Sequence, residues 1–203
     1  MATKVPDPTP EQRRAIDRHL DELDLWNRRL NLTAVRREVA WERHVVESLA
    51  LLDAAGLREG VRCADLGSGG GIPGVIVAIV RPDLAVTLIE SDQRKAGFLV
   101  HVSGLLGLGN VTVAARRAEE MGADPAHRGR YDAVLSRAAA PPPLLCVLSM
   151  PLLTTGGTLW ALVAAADAAA AVGVLEGDPA VRAERPAPGI FAVQKIGDAG
   201  SAG

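Results

Sequence analysis

Apolar residues recur at helical spacing through Ile16, Leu20, Leu23 and Leu30, with charges between them. That spacing predicts an amphipathic helix. Thr9-Pro10-Glu11-Gln12 supplies its start: a threonine cap, a proline at the first helical position and a glutamine placed to close a capping box. Residues 1–8 read as a loose tail. A second helix is expected over residues 38–55, ending at Gly56. After Gly60 the pattern changes to short apolar runs. Strands are expected at 61–66, 84–90, 111–114, 131–136 and 158–163, and helices at 73–80, 92–106 and 142–153. Arg81-Pro82-Asp83 and Gly156-Gly157 read as turns. Residues 181–195 suit a final antiparallel pair around Pro188-Gly189. Strands separated by helices predict an α/β fold with a mostly parallel, seven-stranded sheet covered on both faces. The expected division is an N-terminal helical extension, residues 1–58, and one compact domain, residues 59–203.

Composition changes this picture little. The chain has 203 residues, suited to one domain, and is 48% apolar with only 3% aromatics, so its core is expected to be aliphatic. A formal charge of −2 gives no global attraction to nucleic acid or anionic membranes. A local basic patch remains open: Arg28, Arg29, Arg36, Arg37 and Arg43 face only Glu38 and Glu42 in that stretch. Cys63 and Cys146 make neither a disulfide framework nor a metal site, and no metal is expected. Cys63 lies in an apolar run and reads as a buried thiol. No apolar signal core and no membrane-spanning run is evident, so the expectation is a cytoplasmic chain without membrane association. Asn31-Leu32-Thr33 matches a glycosylation acceptor, which such a chain would not use.

The richest segment is Asp65-Leu66-Gly67-Ser68-Gly69-Gly70-Gly71-Ile72-Pro73-Gly74. It follows a predicted strand and opens a predicted helix. Glycines at such a turn let the backbone approach a ligand and adopt positive φ. Glu90 closes the next strand, where a carboxylate can accept both hydroxyls of a ribose. A dinucleotide enzyme uses the same tools, and Gly69-x-Gly71-x-x-Gly74 fits its pattern. Two details favour S-adenosylmethionine. Asp65 would repel a pyrophosphate but suits the cationic aminoacyl end of a sulfonium cofactor. Pro73 removes an amide that a pyrophosphate would use. Glycines serving only a tight turn remain the bland alternative.

Further candidates follow downstream. Ser68 and Ser91 flank the loop and the acid. Ala118 and Glu119 follow the third strand, where a backbone amide or an acid can meet an adenine; the alternative is a helix start with acids in its first turn, which suits Glu120 equally well. Ser136 and Arg137 end the fourth strand, and ligands bind beyond the carboxyl ends of strands in such sheets. Trp26 and Trp160 read as core.

The sequence resembles the bacterial glucose-inhibited division protein B family of 16S ribosomal RNA guanine-N7 methyltransferases. The resemblance rests on Trp26-Asn27-x-x-Leu30-Asn31-Leu32-Thr33-Ala34, on His44-x-x-x-Ser48-Leu49, on the 65–74 loop and on Leu88-Ile89-Glu90-Ser91. Val80-Arg81-Pro82-Asp83, Lys95 with Phe98-Leu99, Arg117-Ala118-Glu119 and Ser136-Arg137-Ala138-x-Ala140 complete it. These pieces cover roughly residues 20–160. The resemblance implies a Rossmann-like class I methyltransferase fold, S-adenosylmethionine as methyl donor with S-adenosylhomocysteine as product, and a guanine in the small-subunit RNA as substrate. It places cofactor contacts on Gly67, Gly69, Gly71, Glu90, Ala118, Glu119 and Arg137. It places the substrate side at Asn31, Thr33 and His44. Arg28, Arg29 and Lys95, with Arg36, Arg37, Arg43, Arg94, Arg116 and Arg117, are candidates for RNA phosphates. The expected partner is the small ribosomal subunit, met by a monomer. Arg137 and Ser136 are the candidate catalytic pair. Guanine N7 carries a free in-plane lone pair, so alignment rather than a general base is expected to carry the reaction.

One departure stands out. The family usually carries a lysine at the end of the fifth strand; here Val163 takes its place, with an alanine-rich run after it. Lys195 is the candidate to compensate. The departure keeps open a relative acting on a small molecule or peptide, and a non-catalytic cofactor or RNA binder.

Overall fold

The computed structural model describes residues 7–137, 139–175 and 178–197. It begins with α1 (Pro10–Leu30). Thr9 caps it through the expected box: Gln12 N–H donates to Thr9 Oγ1 and Thr9 N–H donates to Gln12 Oε1. Asn31 ends α1 in the left-handed region, φ 49°. The predicted second helix is segmented. Arg37–Val39 forms a 3-10 turn, Trp41–Val46 a π turn, and α2 (Glu47–Ala55) then runs to Gly56 as expected.

The rest alternates β1 (Arg62–Leu66), α3 (Gly74–Val80), β2 (Ala85–Ile89), α4 (Gln93–Leu105), β3 (Val111–Ala114), α5 (Ala118–Ala123) and β4 (Tyr131–Arg137). α6 (Pro142–Ser149), β5 (Leu153–Leu162), α7 (Ala165–Leu175), β6 (Val181–Ala187) and β7 (Ile190–Lys195) complete it. Two expectations need correction. α6 stops at Ser149 rather than at residue 153, because Pro151 has no amide hydrogen to continue it. β5 begins at Leu153 rather than at 158, and the Gly156-Gly157 turn is an irregularity where its register against β4 shifts. α7 was not foreseen; it carries Asp167 and Gly173 within an alanine-rich helix.

The seven strands lie in the order β3-β2-β1-β4-β5-β7-β6. β7 runs antiparallel to both neighbours, and the other strand pairs are parallel. Alternate residues of the strands feed two cores. Cys63, Leu88, Leu135 and Trp160 join Ile16, Leu20, Leu23, Leu51 and Leu52 of the N-terminal helices on one face. Leu66, Val134, Leu159 and Phe191 join Met121, Leu145 and Ala168 on the other. Trp160 and Cys63 are therefore core, as read; burial pushes the Cys63 thiol up to about 12. Gln12 ties α1 to the sheet layer by donating to the carbonyls of Ile79 and Val80 at the end of α3. No helix among the described residues is long and apolar enough to cross a membrane.

Candidate active site

Strand order reverses at β1, which has β2 on one side and β4 on the other. Crevices for ligands form at such switch points, beyond the carboxyl ends of the strands. A cavity of about 520 Å³ opens there. Gly67–Gly70 form one wall, Glu90 and Ser91 a second, Arg137 and Ala139 a third, and Thr33 and His44 from the N-terminal helical region the roof.

The loop after β1 is bent by positive φ at Gly67 (72°), Gly69 (51°) and Gly71 (82°). A side chain at Gly67 would collide with the Ala139 Cβ at 2.5 Å, so the close approach of the β1 and β4 loops needs glycine there. Glu90 stabilises the turn from outside. Its Oε2 accepts the Gly69 amide at 2.9 Å and its Oε1 accepts the Asp92 amide at 2.8 Å. A carboxylate has about four acceptor positions, so two remain for hydroxyls of a ligand.

Asp65 is placed differently from Glu90. Its carboxylate is fully buried beneath the loop rather than in the cavity wall. Oδ2 accepts the Gly74 amide at 3.1 Å, while Oδ1 has no hydrogen-bond partner. Burial pushes Asp65 up to about 7. A fixed positive charge above the loop would favour its ionised form. Ser136 is also fully buried; its hydroxyl donates to the Leu66 carbonyl at 3.0 Å and so links β4 to β1. Ser68 likewise donates to the Asp65 carbonyl, while remaining on the cavity wall.

Arg137 reaches across the cavity. Its Nη2 pairs with Glu47 Oε2 at 3.0 Å, and its Nη1 contacts His44 Nδ1. His44 Nε2 lies 3.1 Å from Thr33 Oγ1. Burial first, and the Arg137 cation second, lower His44 to about 4, so the imidazole is neutral near pH 7. Asn27 holds Thr33 in place from both sides: its amide donates to the Thr33 carbonyl at 2.8 Å and its Oδ1 accepts the Thr33 N–H at 2.9 Å.

Ala118 and Glu119 border a second cavity of about 230 Å³ that shares Gly67, Glu90, Ser91 and Ala139 with the first. The structure therefore brings Gly67, Ser68, Gly69, Glu90, Ser91, Lys95, Arg137, Thr33 and His44 around one space, with Ala118 and Glu119 adjoining it. Gly71, Asn31, Asp65 and Ser136 lie outside the wall. Gly71 packs instead against Val75 and His19, and Asn31 is the exposed cap of α1. Ala138 lies outside the described residues.

The basic candidates divide by their partners. Arg37 pairs with Asp17 and Asp21, Arg116 with Glu120 and Asp124, Arg43 with Glu47, Arg28 with Asp24 and Arg94 with Asp92. Arg29, Arg36, Lys95 and Arg117 have no ion pair among the described residues. Val163 does not line the main cavity, and its amide donates to the Gly189 carbonyl. Lys195 does not compensate for the absent lysine: its ammonium donates to the Leu153 carbonyl, at the opposite end of β5.

Sequence reading missed Glu47 and His19. Glu47 lies one helical turn beyond His44, but its pairing with Arg137 joins distant segments. His19 sits in the apolar stripe with Ile16, Leu20 and Leu23, a legible sign of burial. Its Nε2 contacts the Gly70 carbonyl at 2.8 Å, supporting the glycine turn from below.

Residues 12–173 match the family described as rRNA small subunit methyltransferase G. A ribosomal RNA small subunit methyltransferase G from Sorangium cellulosum is 46% identical over 141 residues, covering 68% of this chain and 59% of that one. A protein of the same name from Roseiflexus castenholzii is 43% identical over 142 residues, covering 69% and 60%. The matched part thus spans under two thirds of these relatives' own lengths. Among solved structures, a precorrin-6y C5,15-methyltransferase from Geobacter metallireducens shares the fold, with TM-score 0.54, 16% identity and coverage of 73% of this chain and 87% of that one.

Proposed function

Since the chain belongs to the rRNA small subunit methyltransferase G family, we propose that it transfers a methyl group from S-adenosylmethionine to N7 of a guanine in 16S ribosomal RNA. The observation that carries this reading is the cavity at the switch point, with the glycine turn and Glu90 on one side and Thr33, His44 and Arg137 on the other.

The residues present fit the cofactor. Glu90 retains acceptor positions for ribose hydroxyls, and the Gly67–Gly70 backbone leaves room for a close approach. Asp65, with one buried oxygen unpartnered, balances a cationic aminoacyl end from beneath the loop. Ala118 and Glu119 border the adjoining space for an adenine. Bound there, S-adenosylmethionine supplies an electrophilic methyl group.

The chain's own work is alignment. Guanine N7 attacks with its in-plane lone pair and has no proton to lose, so no general base is required. Holding the reactants in line accounts for up to about 7–11 kcal/mol of barrier reduction. Ser136 then acts through the framework, fixing β4 to β1, and Arg137 fixes the roof to β4. In this proposal the N-terminal helical region supplies the substrate-side roof through Thr33 and His44, and the described residues from 59 onward carry the cofactor. The partner is the small ribosomal subunit, approached by Arg29, Arg36 and Lys95.

Labelled methyl transfer tests the reading. Small subunits lacking the modification should accept label from S-adenosylmethionine, and fully modified subunits should not. Equal labelling of both, or of neither despite cofactor binding, refutes it.

A further inference from the structure

We propose that Thr33 reads the target base, its hydroxyl held by the chain itself as a hydrogen-bond donor to the O6 carbonyl of guanine. The argument is one of proton bookkeeping along a fixed chain. Arg137 carries only donors, so His44 Nδ1, which it contacts, is an acceptor. The proton of a neutral imidazole then sits on Nε2 and is donated to Thr33 Oγ1, 3.1 Å away. The same oxygen accepts the Val35 amide at 3.0 Å. Both lone pairs of the hydroxyl are thereby used. Among the described residues no acceptor is within reach of its own proton, and Thr33 lines the cavity.

The direction of that chain is locked at both ends. Glu47 holds Arg137 by an ion pair, and Asn27 clamps the Thr33 backbone in both directions. The lowered basicity of His44 keeps the imidazole neutral, and the contact with Arg137 sets which nitrogen carries the proton. A ligand at this point must therefore offer an acceptor. Guanine presents two on its exposed edge, O6 and N7, whereas adenine presents N7 and an amino donor. A donor spent on O6 leaves the N7 lone pair free for methyl transfer. An amino group in the same place would face the hydroxyl proton to proton and leave both unpaired, and a site built around a hydrogen bond rejects such a partner. Thr33 is then the specificity-determining residue, and His44 and Arg137 are positioning residues that orient it.

This inference rests on the guanine reading above, and its test separates the two. Small-subunit RNA is ligated with guanine or 2,6-diaminopurine at the target position; the second keeps N7 but carries an amino group in place of O6. The ratio of kcat/KM on the two bases is read for wild type, Thr33→Val, Thr33→Ser and His44→Leu. That ratio does not depend on the fraction of each variant that is folded. Wild type should favour guanine strongly. Thr33→Val should lose roughly tenfold on guanine and most of the preference, with S-adenosylmethionine affinity unchanged. His44→Leu should weaken the preference, and Thr33→Ser should keep it. A Thr33→Val enzyme with the wild-type preference overturns the inference and leaves the guanine reading standing. Wild type that fails on guanine overturns both.

Discussion

Glu90 and Gly69, 21 positions apart in the chain, meet at 2.9 Å, the carboxylate of one accepting the amide of the other at the mouth of the cavity. With the second bond to Asp92, the same side chain sets the glycine turn and the start of α4 before any ligand arrives. Glu90→Ala should therefore act twice. Cofactor affinity should fall by a factor of about 10 to 100, for two lost acceptor interactions. Stability should fall by about 1–2 kcal/mol, because two amides lose their partner. Calorimetric titration with S-adenosylhomocysteine and thermal unfolding measure the two effects. Unchanged affinity would remove Glu90 from the cofactor site.

Asp65 predicts a pH dependence with a definite sign. Burial raises it from 3.8 to about 7 in the folded chain. Its contribution to the stability of the free protein is present below about pH 4 and lost as pH rises through about 7. A cation held above the loop favours the ionised form, so S-adenosylmethionine should bind more tightly as pH climbs from about 6 to about 8, releasing a proton. Titrations in two buffers of different ionisation heat detect that proton. Asp65→Asn should bind more weakly and without the pH dependence. A flat wild-type profile would contradict the charge-balancing role.

The unpaired cations predict a salt effect. Arg29 and Arg36 have no internal carboxylate, whereas Arg37 is bound to Asp17 and Asp21. Replacing Arg29 and Arg36 together by alanine should lower the slope of log affinity against log salt by about 1.4–1.8. Arg37→Ala should leave the slope nearly unchanged and cost stability instead. Filter binding to small subunits across a salt series makes the comparison; equal slopes for all three would refute this division.

The fold was legible where single residues carry a mechanism. Thr9 and Gln12 announce the first helix, Gly56 ends the second, and Pro188-Gly189 marks the last hairpin. The break of residues 37–55 into three helical forms was not legible, because all three keep a similar spacing of apolar residues. The early end of α6 was written in Pro151, outweighed by the apolar run around it. At the site, Gly67, Gly69 and Glu90 were legible from local pattern, whereas Gly71 was placed at the cavity and lies outside its wall. The inward placement of Asp65 and Ser136 was not, since both sit in strands covered on both faces, where alternation gives no sign of direction. The Glu47–Arg137–His44–Thr33 chain depends on contacts between segments far apart in sequence.

The most direct test is made in cells. A bacterial strain lacking its own small-subunit guanine-N7 methyltransferase is supplied with this chain or with its Glu90→Ala variant, and its 16S RNA is digested and analysed by mass spectrometry. N7-methylguanine should return at one position with the wild-type chain and be strongly reduced with the variant. Its absence from 16S RNA despite soluble, cofactor-binding protein would contradict the assigned substrate.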